Sequence, residues 1–177
     1  MSQLRLCFSH GKESGPWGTK IKILAGIAEE AGWQVDSLDY QGMDDPHARV
    51  KLLQRWCADC EEPYVLAGSS MGGHVVADVA SKVKPHGQLL GLFLMAPAFY
   101  VPGYEEHTPE VPECPVVIVH GWHDEVIPWQ NSARFGADAD ARVVFMNSDH
   151  RLIDVLPQIG QELKLFLDSL ADKGAHG

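Results

Sequence analysis

The chain has 177 residues, 45% of them apolar, and carries 24 Asp and Glu against 14 Lys and Arg, a formal charge of −10. Such a composition suits one globular domain with a sizeable core rather than a disordered or membrane protein. The acidic balance speaks against nucleic acid and anionic membrane surfaces as partners, and mildly against substrates with several phosphates. The longest apolar stretch, about Leu89 to Ala98, is too short to span a bilayer. Met1-Ser2-Gln3-Leu4-Arg5 enters a strand pattern without the features of a signal peptide, so the cytoplasm is the expected location.

Along the chain, six strand-like runs alternate with helical stretches. The runs are Leu4 to Ser9, Gln34 to Asp39, Tyr64 to Gly68, Leu89 to Ala96, Val116 to His120 and Arg142 to Asn147. Helical spacing is found near Thr19–Gly32, Ala48–Cys60, Gly73–Val83 and Pro128–Phe135. A last helix near Leu156–Leu170 carries the stripe Ile159, Leu163, Phe166, Leu167 and Leu170, with Asp154 as its N-cap. The alternation predicts an α/β fold with a doubly wound, six-stranded, mostly parallel sheet. Several runs are apolar on consecutive residues, as strands covered on both faces require. Residues 1–170 form one predicted domain, and 171–177 a flexible polar C-terminal tail.

One short motif stands out. Gly68-Ser69-Ser70-Met71-Gly72 follows the apolar run Tyr64-Val65-Leu66-Ala67 and precedes a helical pattern. Gly-x-Ser-x-Gly between a strand and a helix describes a nucleophile elbow, a tight turn that lifts the serine hydroxyl above the sheet. The flanking glycines are needed because side chains there would collide with backbone. Asp124 follows the run Val116-Val117-Ile118-Val119, and His150 follows Val143-Val144-Phe145-Met146. All three fall where a predicted strand gives way to a loop, the edge at which open parallel sheets bind ligands.

With these motifs in chain order Ser…Asp…His, the sequence resembles the α/β-hydrolase superfamily in a small, lidless, serine esterase-like form. The dipeptides His10-Gly11 and His120-Gly121 and the segment Asp124-Glu125-Val126-Ile127-Pro128 carry the same resemblance. It implies a minimal fold without the first two antiparallel strands, no cap domain, and the strand order 2-1-3-4-5-6. The stretch Pro97 to Pro115 lies where many members insert a lid; at its length it forms only a flap, so an open, shallow pocket is expected.

In this reading Ser70 is the nucleophile, His150 the base, and Asp124 the acid that orients the imidazole. Ser69, Glu125 and Asp149 are the fallback candidates for nucleophile and acid. The oxyanion would be held by the backbone N–H of Met71 and, by analogy with the family, that of Lys12. Trp17, Phe99, Tyr100, Trp122 and Trp129 are candidates to line an acyl site, Trp122 foremost. The expected reaction is hydrolysis of a small-molecule ester or thioester through an acyl-enzyme, with no cofactor. Acyl-thioester or carbon–carbon bond hydrolysis by the same triad is the alternative. A non-catalytic binding or scaffold protein on the same fold is the alternative of another class. Haloalkane-type chemistry would need a carboxylate where Ser70 stands.

Two further patterns invite other chemistry. Cys57-Ala58-Asp59-Cys60 suggests a redox pair, but Leu53, Trp56, Cys57 and Cys60 share one helical face, which points to core packing. His120-x-x-His123-Asp124 suggests a metal, yet nothing nearby supplies further converging ligands, so no metal is expected. His10 is read as a residue that shapes its turn.

Overall fold

The strands β1 (Leu4–Ser9), β2 (Trp33–Leu38), β3 (Tyr64–Ser69), β4 (Leu89–Met95), β5 (Val116–Gly121) and β6 (Arg142–Met146) form one sheet. All neighbouring pairs are parallel, and the order is β2-β1-β3-β4-β5-β6. The helices are α1 (Thr19–Glu30), α2 (Pro46–Asp59), α3 (Met71–Lys82), α4 (Trp129–Asp138) and α5 (Leu156–Ala175). The structure, a computed structural model, describes residues 3–83, 88–103 and 109–175. The expected architecture and strand order are present, and no antiparallel strand joins the sheet among the described residues.

Both faces of the sheet are buried, and strand periodicity assigns side chains to each. Leu6, Phe8, Val65, Ala67, Phe93, Met95, Val117 and Val119 face one cluster, closed by α1 and α5. Cys7, Leu66, Leu92, Leu94, Val116 and Ile118 face the other, with Leu53 of α2, Val75 and Val79 of α3, and Phe135 of α4. Cys57 and Cys60 belong to this second cluster, and all four cysteines are free. Burial pushes the Cys57 thiol up to about 11, which leaves little thiolate for redox chemistry.

Several boundaries differ from expectation. Helix α2 starts at Pro46, because Asp45 caps it by accepting the His47 N–H at 2.9 Å and proline suits the first helical position. Helix α4 runs on to Asp138. Asp154 does not cap α5; it lies inside a 3-10 turn, Ile153–Val155, and accepts the Ser148 hydroxyl. Helix α5 continues through Ala175 rather than ending at Leu170, so the segment read as a tail is helical over 171–175. Residues 104–108 of the expected flap, and His176, lie outside the described residues. Among the described residues no helix is long and apolar enough to cross a membrane.

The chain reverses direction across the sheet between β1 and β3, since β2 lies outside β1 while β4 to β6 build outward from β3. Ligand sites form in the crevice beyond the strand ends at such a switch point. Ser70 follows β3 directly at that place.

Candidate active site

Ser70 joins β3 to α3 with φ 55° and ψ −117°, a conformation that non-glycine residues rarely adopt. Its neighbours make the turn possible. A Cβ on Gly68 would lie 2.3 Å from the Gly72 oxygen, and one on Gly72 would lie 1.9 Å from the Ser9 oxygen. Only bare backbone lets β1, β3 and the start of α3 approach this closely. Ser70 is further tied to β4 by donating its N–H to the Met95 carbonyl at 3.0 Å.

Asp124 sits in the turn after β5 with its carboxyl fully buried. One oxygen accepts the N–H groups of Val126 and Ile127, both at 2.8 Å. The other faces His150 Nδ1 at 2.7 Å and His120 Nε2 at 3.0 Å. Burial alone would raise the carboxyl pKa, but hydrogen bonds from His120, His150 and the Ile127 N–H together outweigh it. They hold Asp124 well below the usual carboxylate range.

His150 completes the connection, its Nε2 standing 3.1 Å from Ser70 Oγ. Since Nδ1 faces a carboxylate, it carries the proton in the neutral ring, which leaves Nε2 free to accept the serine hydroxyl. The loop that delivers His150 is pressed against the Asp124 turn. Trp122 and His123 donate their N–H groups to the Met146 and Ser148 carbonyls at 2.9 and 3.0 Å. A Cβ on Gly121 would lie 2.3 Å from the Ser148 oxygen. The three residues singled out by sequence thus form one continuous hydrogen-bonded line. Ser69 closes β3, and Glu125 is exposed. Asp149 is exposed too and accepts the Arg151 N–H at 3.0 Å.

The Met71 and Lys12 N–H groups take no acceptor among the described residues, which leaves both available for an oxyanion. Two buried side chains to which the sequence assigned no part in the triad support this arrangement. Arg49 donates to the carbonyls of His10 at 3.1 Å and Gly11 at 3.4 Å, and to Met43 O at 2.8 Å. It turns those carbonyls of the β1–α1 loop toward itself. His120, fully buried, is the second donor to Asp124 and is locked by Ser132 Oγ at 2.7 Å from its Nδ1. His10 shapes its turn as expected, with Nε2 accepting the Tyr40 N–H at 2.8 Å and Nδ1 2.7 Å from Gly11 O.

A cavity of about 640 Å³ opens onto Ser70 and His150, within the usual range for small-molecule sites. Residues His10 to Gly15 of the β1–α1 loop line part of it. None of the five aromatic candidates lines it. Phe99 is buried and stacks on Phe135 at 4.1 Å, and Tyr100 lies under the Arg134 guanidinium at 4.0 Å. Trp122 and Trp129 pack with Phe145 at 4.6 and 5.3 Å, on the β6 side. Trp17 is exposed outside the cavity. The other four rings pack with neighbouring rings and cations, and the cavity's apolar lining comes instead from Ile21, Ala98, Val101, Pro102, Val126, Ile127 and Ile153.

No protein-family model and no curated protein matches the sequence. Solved structures do. One, described as a hydrolase of the alpha/beta superfamily from Xanthomonas campestris pv. campestris, is 30% identical with a TM-score of 0.85. The match covers 94% of this chain and 99% of that one. Est1E from Butyrivibrio proteoclasticus is 16% identical with a TM-score of 0.82, over 97% of this chain and 89% of its own. Mouse alpha/beta hydrolase domain-containing protein 10 is 20% identical with a TM-score of 0.76, over 96% and 90%.

Proposed function

The chain belongs to the α/β-hydrolase superfamily, and from that premise we propose that it is a serine hydrolase of small carboxylic esters. The observation that carries this reading is the line Asp124–His150–Ser70, with steps of 2.7 and 3.1 Å. Ser70 Oγ attacks the ester carbonyl carbon while His150 Nε2 takes the hydroxyl proton. Asp124, held as the anion, keeps the imidazole in the needed tautomer and stabilises the imidazolium. The oxyanion forms between the N–H groups of Met71 and Lys12, the first of these at the positive end of α3. Collapse breaks the carbon–oxygen bond, and His150 returns its proton to the leaving alcohol. Water then attacks the acyl-enzyme, giving its proton to His150; the bond between the acyl carbon and Oγ breaks, and His150 returns the proton to Ser70 as the acid leaves.

Every proton in this cycle passes among Ser70, His150, water and substrate, so the cycle draws on no metal or organic cofactor. A small-molecule substrate in the cytoplasm is the setting we propose. Two measurements test the reading. A fluorophosphonate probe should label the wild-type protein and fail to label Ser70→Ala. On a panel of esters and thioesters, kcat should drop about 10⁴- to 10⁶-fold in that variant. A wild-type protein that neither reacts with the probe nor turns over any panel member would sink the proposal.

A further inference from the structure

The cavity beside Ser70 has two unlike walls. One is apolar, and the other carries Lys12, Lys20 and Arg151 with Glu13 as the single lining acid. That local excess of cations reverses the balance of the whole chain, whose charge is −10. None of these three cations forms an ion pair among the described residues.

Lys20 has a defined place. It rises from the first turn of α1, half-buried, and its Nζ donates to the Arg151 carbonyl at 3.4 Å, one residue past His150. Burial first, and the neighbouring Arg151 second, lower the Lys20 pKa to about 8, with Asp124 and the exposed Asp149 acting in the opposite direction. Lys20 Nζ thus stands over the backbone of Arg151, whose exposed side chain also lines the cavity, so an incoming anion meets two cations. The start of α1 adds to the same potential. Gly18, Thr19, Lys20 and Ile21 all line the cavity, and no side chain caps the helix. The N–H groups of Thr19, Lys20 and Ile21 find no acceptor among the described residues.

Building on the serine hydrolase reading, we propose that this wall is an anion subsite and that the preferred substrate is an ester whose leaving alcohol carries a carboxylate. The side is set by the chemistry. His150 must return its proton to the leaving oxygen, so the alcohol half lies beside His150, where Lys20 and Arg151 stand. A carboxylate fits best, because its two oxygens can meet Lys20 and Arg151 while the acidic exterior repels polyanions. The guanidinium of Arg151 can grip a carboxylate in a fork while Lys20 supplies a point charge. The acyl half then rests on Ala98, Val101, Pro102, Val126 and Ile127.

Two esters that differ at one group test this: butyryl 4-hydroxyphenylacetate, and the same compound with its carboxylate capped as the methyl ester. Wild-type kcat/KM should favour the carboxylate form by about 10-fold, mostly through KM. The ratio should fall to about one in the Lys20→Met, Arg151→Gln double variant, and survive in Lys20→Arg. If the double variant does not fold, each single neutral variant should lower the ratio by about 3-fold. A wild-type ratio of one or less, or a ratio unmoved by the folded variants, overturns the subsite. Should neither ester turn over, protection of Ser70 from the fluorophosphonate probe by free 4-hydroxyphenylacetate, and not by its methyl ester, supports the subsite; equal protection or none overturns it. Turnover of the capped ester without charge preference leaves the hydrolase standing, whereas an unreactive Ser70 removes both readings.

Discussion

His120 spends both ring nitrogens inside the protein. Its Nε2 faces two acceptors, Asp124 Oδ2 at 3.0 Å and Ile127 O at 2.9 Å, so that nitrogen carries a proton. That one proton is shared between the Ile127 carbonyl and the carboxylate oxygen that orients His150. A charge-assisted hydrogen bond of this kind is worth about 1.5–3 kcal/mol. Replacing the ring by one with no donor, His120→Phe, should lower kcat by about 10- to 100-fold, measured beside the wild type on the best panel ester. Stability should change with a definite pH signature. The folded pKa of Asp124 is depressed. Its contribution is thus complete above the ordinary aspartate value near ~4 and lost as pH falls below it. His120→Phe removes part of that depression, so the stability lost between about pH 7 and pH 3 should be smaller than in the wild type. Urea titrations at the two pH values decide. Ser70, Asp124 and His150 were legible in the sequence because each follows an apolar run in a fixed order. His120 was not: it closes one of those runs, and nothing in the linear chain says that its ring turns toward a residue four positions on.

The elements that carry the site meet through glycine. At Gly121 the end of β5 passes so close to the backbone of Ser148 and Asp149 that any Cβ would overlap it. That approach seats the His150 loop on the Asp124 turn, so Gly121 sets the 2.7 Å contact between them without touching either side chain. Gly121→Ala must push the two loops apart. We expect a loss of stability of about 1–3 kcal/mol from overpacking. A kcat lowered by about 10²-fold should accompany it, the usual effect of misplacing a catalytic group by about 1 Å. Thermal melts and kinetics on the same preparation measure the two effects. Element types were easy to read because the strands are continuous apolar runs and the helices carry clear stripes. Boundaries and pocket lining were harder. Asp45-Pro46 is a cap signal that lies two residues ahead of the first stripe, so stripe counting alone started α2 late. Phe99 and Trp129 sit near strand ends as a lining residue would, yet Phe135 and Phe145 claim them through tertiary packing that no local pattern announces.

At the scale of the molecule, the scaffold and the chemistry are spatially separate. The site uses the carboxyl ends of β1, β3, β4, β5 and β6, the loops beyond them and the first turn of α1. The stability comes from two apolar layers on either side of the sheet. Helix α5 closes one layer. Its Leu163 and Leu167 are fully buried, and Phe166 and Leu170 press on β4 where Gly91 leaves room. Leu167→Ala deletes buried methyl groups and leaves a cavity that the rigid sheet cannot collapse, costing about 2–5 kcal/mol. For a domain of this length each kcal/mol lowers Tm by about 2–4 °C, so a drop of about 4–20 °C is expected. Leu167 lines no part of the cavity beside Ser70. Below the transition, therefore, kcat per active site, with sites counted by fluorophosphonate titration, should match the wild type. A variant whose kcat fell in step with its Tm would show instead that the α5 layer is coupled to the strand ends, and that the two functions of the fold cannot be separated.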